Sequence, residues 1–403
     1  MPEVTRTMTR VAGLSSPEMD FQLMRSLGAA NYGGSTPGEL FQCFGAIDGN
    51  DPYQWPPAFE RLARQVEDVG AQAATRGHGI SARDHYLRAS MYWRAAEYFS
   101  DPFSVDMNLR GMSCHLAFMQ ASRFIAHKIV PIEIPFEAIK LPGLFMTPAG
   151  EPNGRTIVVL TGFDGTAEEL YFHTAQSALE RGYNVFIGEG PGQVGAMRLN
   201  PGLVFRADYE KPIAAMIDVV LSMPGVDPQR LALYGISFGG YFAIRAAAHD
   251  ARIKAMIANS PIIDLRCYML GFVGGEQFVA NAPPIELKDV NEIPDEDFPR
   301  AQKLSFKASC RRFGVGSLAD WFGCLKAFTA VGMIDRIACP TLAMVGTGEG
   351  GEALQQFETF SEQVSGPVTR RTFEVSEGAD MHCQLGNLPL SNAVVYDWLD
   401  GVL

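Results

Sequence analysis

"LYGISFGGYF", residues 233–242, places a serine between glycines at the end of a short apolar run. Gly235, Ile236, Ser237, Phe238 and Gly239 fit G-x-S-x-G, a pattern with two free positions that arises often by chance, so its surroundings must decide. The run "RLALYGI" (230–236) reads as a strand, and "GGYFAIRAAAHD" (239–250) continues as a helix. That is the setting of a nucleophile elbow, a tight, strained strand-to-helix turn that presents a serine Oγ above a sheet. Small residues at 235 and 239 avoid collisions in such a turn. Ser237 is therefore expected to be a nucleophile rather than part of a plain Gly-rich turn.

Working outward, "TIVVLTG", "YNVFIGEG", "KAMIANSP" and "CPTLAMVG" are nearly continuous apolar runs, as parallel strands covered on both faces appear. Helical patterns such as "EKPIAAMIDVVLSMP" alternate with them as crossovers, which predicts a doubly wound α/β domain. Upstream, "HKIVPIEIPFEAIKLPGLFMTPAG" (127–150) predicts short strands bounded by Pro and Gly. Before that, "PPAFERLARQVEDVGAQAATRG" and "ARDHYLRASMYWRAAEYF" predict long helices, and the aromatics of the second recur at helical spacing as a core face. Between residues 264 and 335 no strand is evident. A structureless loop of that length is uncommon, so the segment is expected to be a lid or part of a cap. The expected organisation is a helical N-terminal cap over residues 1–128, an α/β core over 129–264 and 335–403, and a lid insertion over 265–334.

The 403 residues, 47% hydrophobic and 19% charged, have the composition of an ordinary globular protein. A formal net charge of -12 argues against nucleic acid as a partner, since phosphate binding needs clustered Lys and Arg. The seven cysteines are scattered with no C-x-x-C pair, which argues against a disulfide framework or a zinc site and for reduced thiols in a cytoplasm. The N-terminal stretch does not read as a secretory signal, and no uncharged apolar run approaches the roughly 18 residues of a membrane span. No metal or cofactor is expected: "GEGPGQVG" (188–195) is not a dinucleotide fingerprint, because G-x-G-x-x-G is matched nowhere at a first strand-helix turn. Within it, Glu189 and Gln193 are candidates for the rim of the site.

A neutral serine needs a general base, usually a histidine oriented by a carboxylate. Of the seven histidines only His382 follows a late strand, in "RRTFEVSEGADMH", where a nucleophile, acid, base chain order puts the base. Glu349, in the loop after "CPTLAMVG", is the candidate acid. Glu352 close behind suits a helix start, and both it and Asp264, after "ANSPII", are alternative acids or substrate contacts. The glycine-rich loop of "VVLTGFDGTAEELY" follows a strand, so the amide of Phe163, or a neighbour, can join that of Phe238 in an oxyanion hole. Asp164 in this loop either contacts substrate or orders the turn. Thr166 and Glu169 look like a helix capping box, which gives Glu169 no catalytic part.

Together, the helical N-terminal part, "TGFDGTAEELY", "GEGPGQ", "YGISFGGY" and "GADMHCQ" resemble the α/β-hydrolase branch that contains 2,6-dihydroxypseudooxynicotine hydrolase, the fermentation-respiration-switch esterase-like proteins and the fungal hydrolases that shorten polyketide chains in pigment synthesis. The resemblance spans most of the chain. It implies a Ser-acid-His hydrolase whose site lies between the sheet edge and a helical cap, with Ser237 as nucleophile, His382 as base and the Phe163 and Phe238 amides as oxyanion hole. Many hydrolases carry Asp where this sequence has Glu349. Members of the branch cleave carbon-carbon bonds beside a ketone or cleave esters, so the resemblance implies a small hydrophobic, aromatic or polyketide-like substrate. Ester, lactone or thioester hydrolysis is the alternative, and a cyclase, acyltransferase or ligand-binding relative a further one. A homodimer through the N-terminal helices is implied by the resemblance alone.

Overall fold

The computed structural model describes residues 6–11, 16–49, 51–282 and 284–403. Residues 1–5 and 12–15 of the N-terminal stretch read above for a secretory signal lie outside them.

Eight strands form one sheet: β1 (Lys128–Phe136), β2 (Ile139–Thr147), β3 (Thr156–Leu160), β4 (Asn184–Gly188), β5 (Leu231–Ile236), β6 (Ala255–Asn259), β7 (Thr341–Gly346) and β8 (Val368–Phe373). Their order is β1-β2-β4-β3-β5-β6-β7-β8. The β1/β2 hairpin is antiparallel and β2 runs antiparallel to β4, whereas every pairing from β4 to β8 is parallel. The continuous apolar runs thus become central strands, every residue of β3 to β7 being buried. Successive residues point to opposite faces. Accordingly Val158 and Leu160 join one core with the helices Glu210–Leu221 and Phe238–His249, while Ile157 and Val159 join another with Val395, Tyr396 and Leu399 of the C-terminal helix Leu388–Val402.

Five helices precede the sheet: α1 (Pro17–Gly28), α2 (Pro37–Phe44), α3 (Trp55–Thr75), α4 (Gly79–Tyr98) and α5 (Val105–Ser122). They have a core of their own, in which Trp55 and Phe59 stack at 4.7 Å and Phe44 meets both edge-on. The aromatic stripe of α4 is core as expected, Tyr86, Tyr92 and Trp93 all being buried. Between β6 and β7 the chain forms the helices Leu265–Val273, Glu276–Asn281, Arg300–Phe313 and Leu318–Cys324, with isolated bridges and no named strand. No helix among the described residues is long and apolar enough to cross a membrane.

Candidate active site

β5 delivers Ser237 into the helix Phe238–His249 with φ 61° and ψ -128°, a left-handed region that a side chain rarely adopts. The glycines around it have steric reasons. A Cβ on Gly235 would stand 2.0 Å from the Gly239 carbonyl oxygen, and one on Gly239 would stand 2.6 Å from that of Leu160, so the turn and β3 fit together only without side chains there.

His382 and Glu349 come from the loops after β8 and β7. Nε2 of His382 lies 2.8 Å from Ser237 Oγ, and Nδ1 contacts Glu349 Oε2. A carboxylate only accepts, so Nδ1 carries the ring hydrogen and Nε2 is left to accept from the serine hydroxyl. Glu349 is fully buried, which an ionised carboxylate tolerates only when its oxygens are engaged. Here they are: Oε1 accepts the Gly346 amide at 2.8 Å, and Oε2 accepts the Ser260 hydroxyl as well as the imidazole. Burial opposes an imidazolium at His382, but the neighbouring Cys383 and Glu349 outweigh it and push the imidazole up to about 10. The His382 backbone is tied in turn: its N–H donates to the Arg6 carbonyl at 3.0 Å, and the neighbouring Asp380 carboxylate accepts from Met8 N at 2.7 Å and Thr9 Oγ1 at 2.9 Å.

The amides of Phe163 and Phe238 donate to no acceptor among the described residues. Their loops touch, since a Cβ on Gly162 would lie 2.8 Å from the Phe238 nitrogen. Their rings also share neighbours: Phe205 lies 5.8 Å from Phe163 and 5.3 Å from Phe238, and Phe313 lies 6.3 and 6.5 Å from the same two. Such pairs contribute about 0.5–1.5 kcal/mol each, and here they fix where two unpaired N–H groups point. Two free backbone donors beside a serine held by an imidazole suit a carbonyl whose oxygen gains charge.

Ser237 and His382 open into a cavity of about 250 Å³. Its floor includes Phe163, Asp164 and Phe238; its walls come from α4, by Arg94 and Tyr98, and from the segment between β6 and β7, by Tyr268, Arg312 and Trp321. The lining is mainly apolar, with Met269, Phe272, Leu304 and Phe313 among it, as sites for hydrophobic small molecules are. The Tyr268 hydroxyl and the Trp321 indole N–H have no hydrogen-bond partner among the described residues.

Comparison with known proteins gives the family. A fungal protein described as alpha/beta hydrolase xenA, from Xenoacremonium sinensis, is 32% identical over 83% of this chain and 82% of its own. The chain is an α/β hydrolase. The 20-hydroxy-prefusarin hydrolase FUS2 of Gibberella moniliformis is 35% identical over 96% of each chain. Residues 206–283 of the hydrolase, the stretch that holds the elbow, match the prolyl oligopeptidase family. The crystal structure of 2,6-dihydroxy-pseudo-oxynicotine hydrolase superposes with a TM-score of 0.73 over 94% of this chain and 95% of that one, at 20% identity, so the two share the fold.

The other residues singled out from sequence are distributed differently in this α/β hydrolase. Asp264 caps the helix Leu265–Val273, its Oδ1 accepting the Cys267 amide at 2.8 Å, and Glu352 accepts from Gln356 within the helix Gly351–Gln363; neither bonds a histidine or lines the cavity. Asp164 does line it, paired with Arg25 at 3.1 Å. Burial alone would raise the Asp164 carboxyl, yet Arg25, Arg94, Arg6 and Arg312 hold it well below the usual range. Glu169 forms half of the expected capping box: Thr166 Oγ1 accepts its amide at 3.3 Å, but its carboxylate turns to Arg25. Glu189 and Gln193 are buried struts rather than rim residues. Gln193 Nε2 donates to the Thr161 carbonyl at 2.6 Å and so braces the loop that carries Phe163, while Glu189 accepts the Gly195 amide at 2.9 Å. Burial and the nearby Glu168 push the Glu189 carboxyl up to about 7.

Three contributors escaped the sequence reading. Ser260 sits at the end of β6, beside β7, and the strand-end position in "ANSP" was a usable signal for a partner to Glu349. Arg312 Nη1 donates to the Phe163 carbonyl at 2.6 Å from the helix Arg300–Phe313, and Arg94 donates to the Asp164 carbonyl from α4. For these two no local pattern exists, because their targets lie 149 and 70 residues away.

Proposed function

We propose that this enzyme hydrolyses an activated carbonyl of a small aromatic or polyketide-like molecule, cleaving a carbon-carbon bond beside a ketone, with Ser237 as nucleophile, His382 as general base and Glu349 as the orienting acid. The observation that carries the reading is the hydrogen-bonded chain from Ser237 through His382 to Glu349, opening into a mainly apolar cavity. The relatives among fungal hydrolases, one of them named for 20-hydroxy-prefusarin, support a substrate of this class.

Ser237 Oγ attacks the carbonyl carbon while its proton passes to His382 Nε2. The new oxyanion is held by the Phe163 and Phe238 amides, which are already free of other acceptors. The bond to the neighbouring carbon then breaks, its electron pair leaving as an enolate or an electron-rich aromatic carbon, which takes the proton from His382. Water attacks the acyl-serine, His382 accepts its proton and returns it to Ser237 Oγ, and the carboxylic acid leaves. An ester needs the same steps with an alkoxide as leaving group.

Fluorophosphonate labelling tests the nucleophile: wild type incorporates one label and Ser237→Ala none. Mass analysis of the products from an aryl β-diketone and an aryl ester tests the bond. An unlabelled wild-type protein refutes the serine mechanism, and turnover of the ester alone refutes carbon-carbon cleavage.

A further inference from the structure

Five ionic side chains besides His382 line the cavity: the guanidiniums of Arg6, Arg94 and Arg312 and the carboxylates of Glu18 and Asp164. Four of them have opposite charges close by. Arg6 Nη2 reaches both oxygens of Glu18 at 3.1 Å, Arg94 lies 3.5 Å from Glu97 and from Glu169, and Asp164 is held by Arg25. Arg312 stands apart, with no carboxylate in ion-pair range among the described residues although it is only 5% exposed. Its Nη1 is committed to the carbonyls of Phe163 at 2.6 Å and Gly192 at 3.3 Å, while Nε and Nη2 bond no described residue. The ring of Phe163 lies beneath the guanidinium at 4.8 Å. Burial disfavours its charge most, Asp164 and Glu97 attract it, and Arg94 and Arg311 repel it.

A buried cation without an anion is costly, and such sites are completed by a counter-ion. A planar guanidinium with two donors free matches two oxygens that share one negative charge. We propose that Arg312 is the anion receptor of this cavity, so that the substrate carries a delocalised oxyanion, a carboxylate or the enolate of a 1,3-dicarbonyl, on the part that faces the helix Arg300–Phe313. This deepens the function proposed above and rests on its placing the substrate in this cavity. It adds a demand that the apolar lining does not make: a neutral ester or ketone of the same shape is the poorer ligand.

Calorimetric binding of 2-naphthoate and of 2-naphthamide to the wild-type protein tests this without using Ser237. The acid binds at least tenfold tighter, and Arg312→Gln removes that preference while Arg312→Lys keeps part of it. Equal affinity for the two, no binding of the acid, or a preference that survives in Arg312→Gln overturns the proposal. If Arg312→Gln does not fold, the wild-type ratio and its partial loss in Arg312→Lys decide, an undiminished ratio in Arg312→Lys overturning the proposal. Cyclohexane-1,3-dione against cyclohexanone repeats the comparison for an enolate and separates the two oxyanion sources. An arginine that merely holds the Phe163 carbonyl would alter turnover of anionic and neutral esters alike and leave the binding ratio unmoved. Failure of fluorophosphonate labelling, in contrast, refutes the serine mechanism and not the receptor.

Discussion

The two ends of the cavity are built on opposite terms. At the sheet edge every polar atom of the Ser237, His382 and Glu349 chain is engaged, and Glu349 alone accepts three hydrogen bonds. On the wall between β6 and β7, Arg312 has free donors, and the Tyr268 hydroxyl and Trp321 indole have no partner, although both residues are over nine-tenths buried. A group that must hold one geometry through a reaction needs its partners before substrate arrives. Groups that recognise a ligand leave their hydrogen bonds to be completed by it. On the function proposed above, the contrast separates the machinery for bond breaking from the surface for choosing what is broken.

Substitutions break this contrast in a graded order. Ser237→Ala removes the nucleophile and lowers kcat about 10⁶-fold, by analogy with single losses in other triads, with the fold kept; burst and steady-state kinetics read it. Glu349→Gln lowers the acylation rate about 10⁴-fold, far more than Glu352→Gln or Asp264→Asn, whose carboxylates serve helices. Equal losses in the three would reassign the acid.

The same Glu349→Gln substitution changes the pH profile. The His382 imidazole is raised above 6.5, so the acid-side limb of the profile, where activity rises as the imidazole loses its proton, lies above that value in wild type and moves to lower pH in the variant. The matching stability effect has a fixed sign: the imidazolium–Glu349 contact stabilises the fold fully below pH 6.5 and is lost as pH rises toward 10. Urea unfolding across that window shows the decline in wild type and a flatter curve in Glu349→Gln.

Ser260→Ala leaves Glu349 with its two other hydrogen bonds. Loss of one bond to a charged group, about 1.5–3 kcal/mol at most, lowers kcat/KM roughly tenfold and shifts the acid-side limb, with the KM for a neutral ester nearly unchanged. On the opposite wall, Tyr268→Phe deletes an unpaired hydroxyl from a buried site and leaves stability unchanged or raises it by up to about 1–3 kcal/mol. A lowered urea midpoint would mean that the hydroxyl already has a partner, and the contrast between the two walls would fail there.

The legible part of the molecule was the part governed by local rules. Strands β3 to β7 announced themselves as continuous apolar runs because both faces are covered, and G-x-S-x-G made sense once a strand before it and a helix after it were read. His382 and Glu349 were singled out because each follows a late strand in the chain order nucleophile, acid, base, and the two side chains do meet each other and Ser237. Where a side chain chooses among partners, sequence was a poorer guide. Glu169 suited a capping box but found Arg25 nearer, and Gln193 looked like a rim residue until the loop carrying Thr161 packed over it. Arg312 was illegible for a stronger reason: nothing along residues 300–313 says that this helix crosses to the loop after β3.

The anchoring of the His382 loop bears on how the chain acquires its site. Arg6 holds the backbone of His382, and Met8 and Thr9 hold Asp380 across 372 and 371 residues of sequence. Contacts so distant in sequence carry a large loop-closure entropy. A nascent or partly folded chain can therefore own a finished elbow yet lack a seated imidazole. In such a chain the serine lacks its proposed base, so reactivity toward a fluorophosphonate is expected to appear only once the segment of Arg6 to Thr9 has docked on the loop of Asp380 to His382.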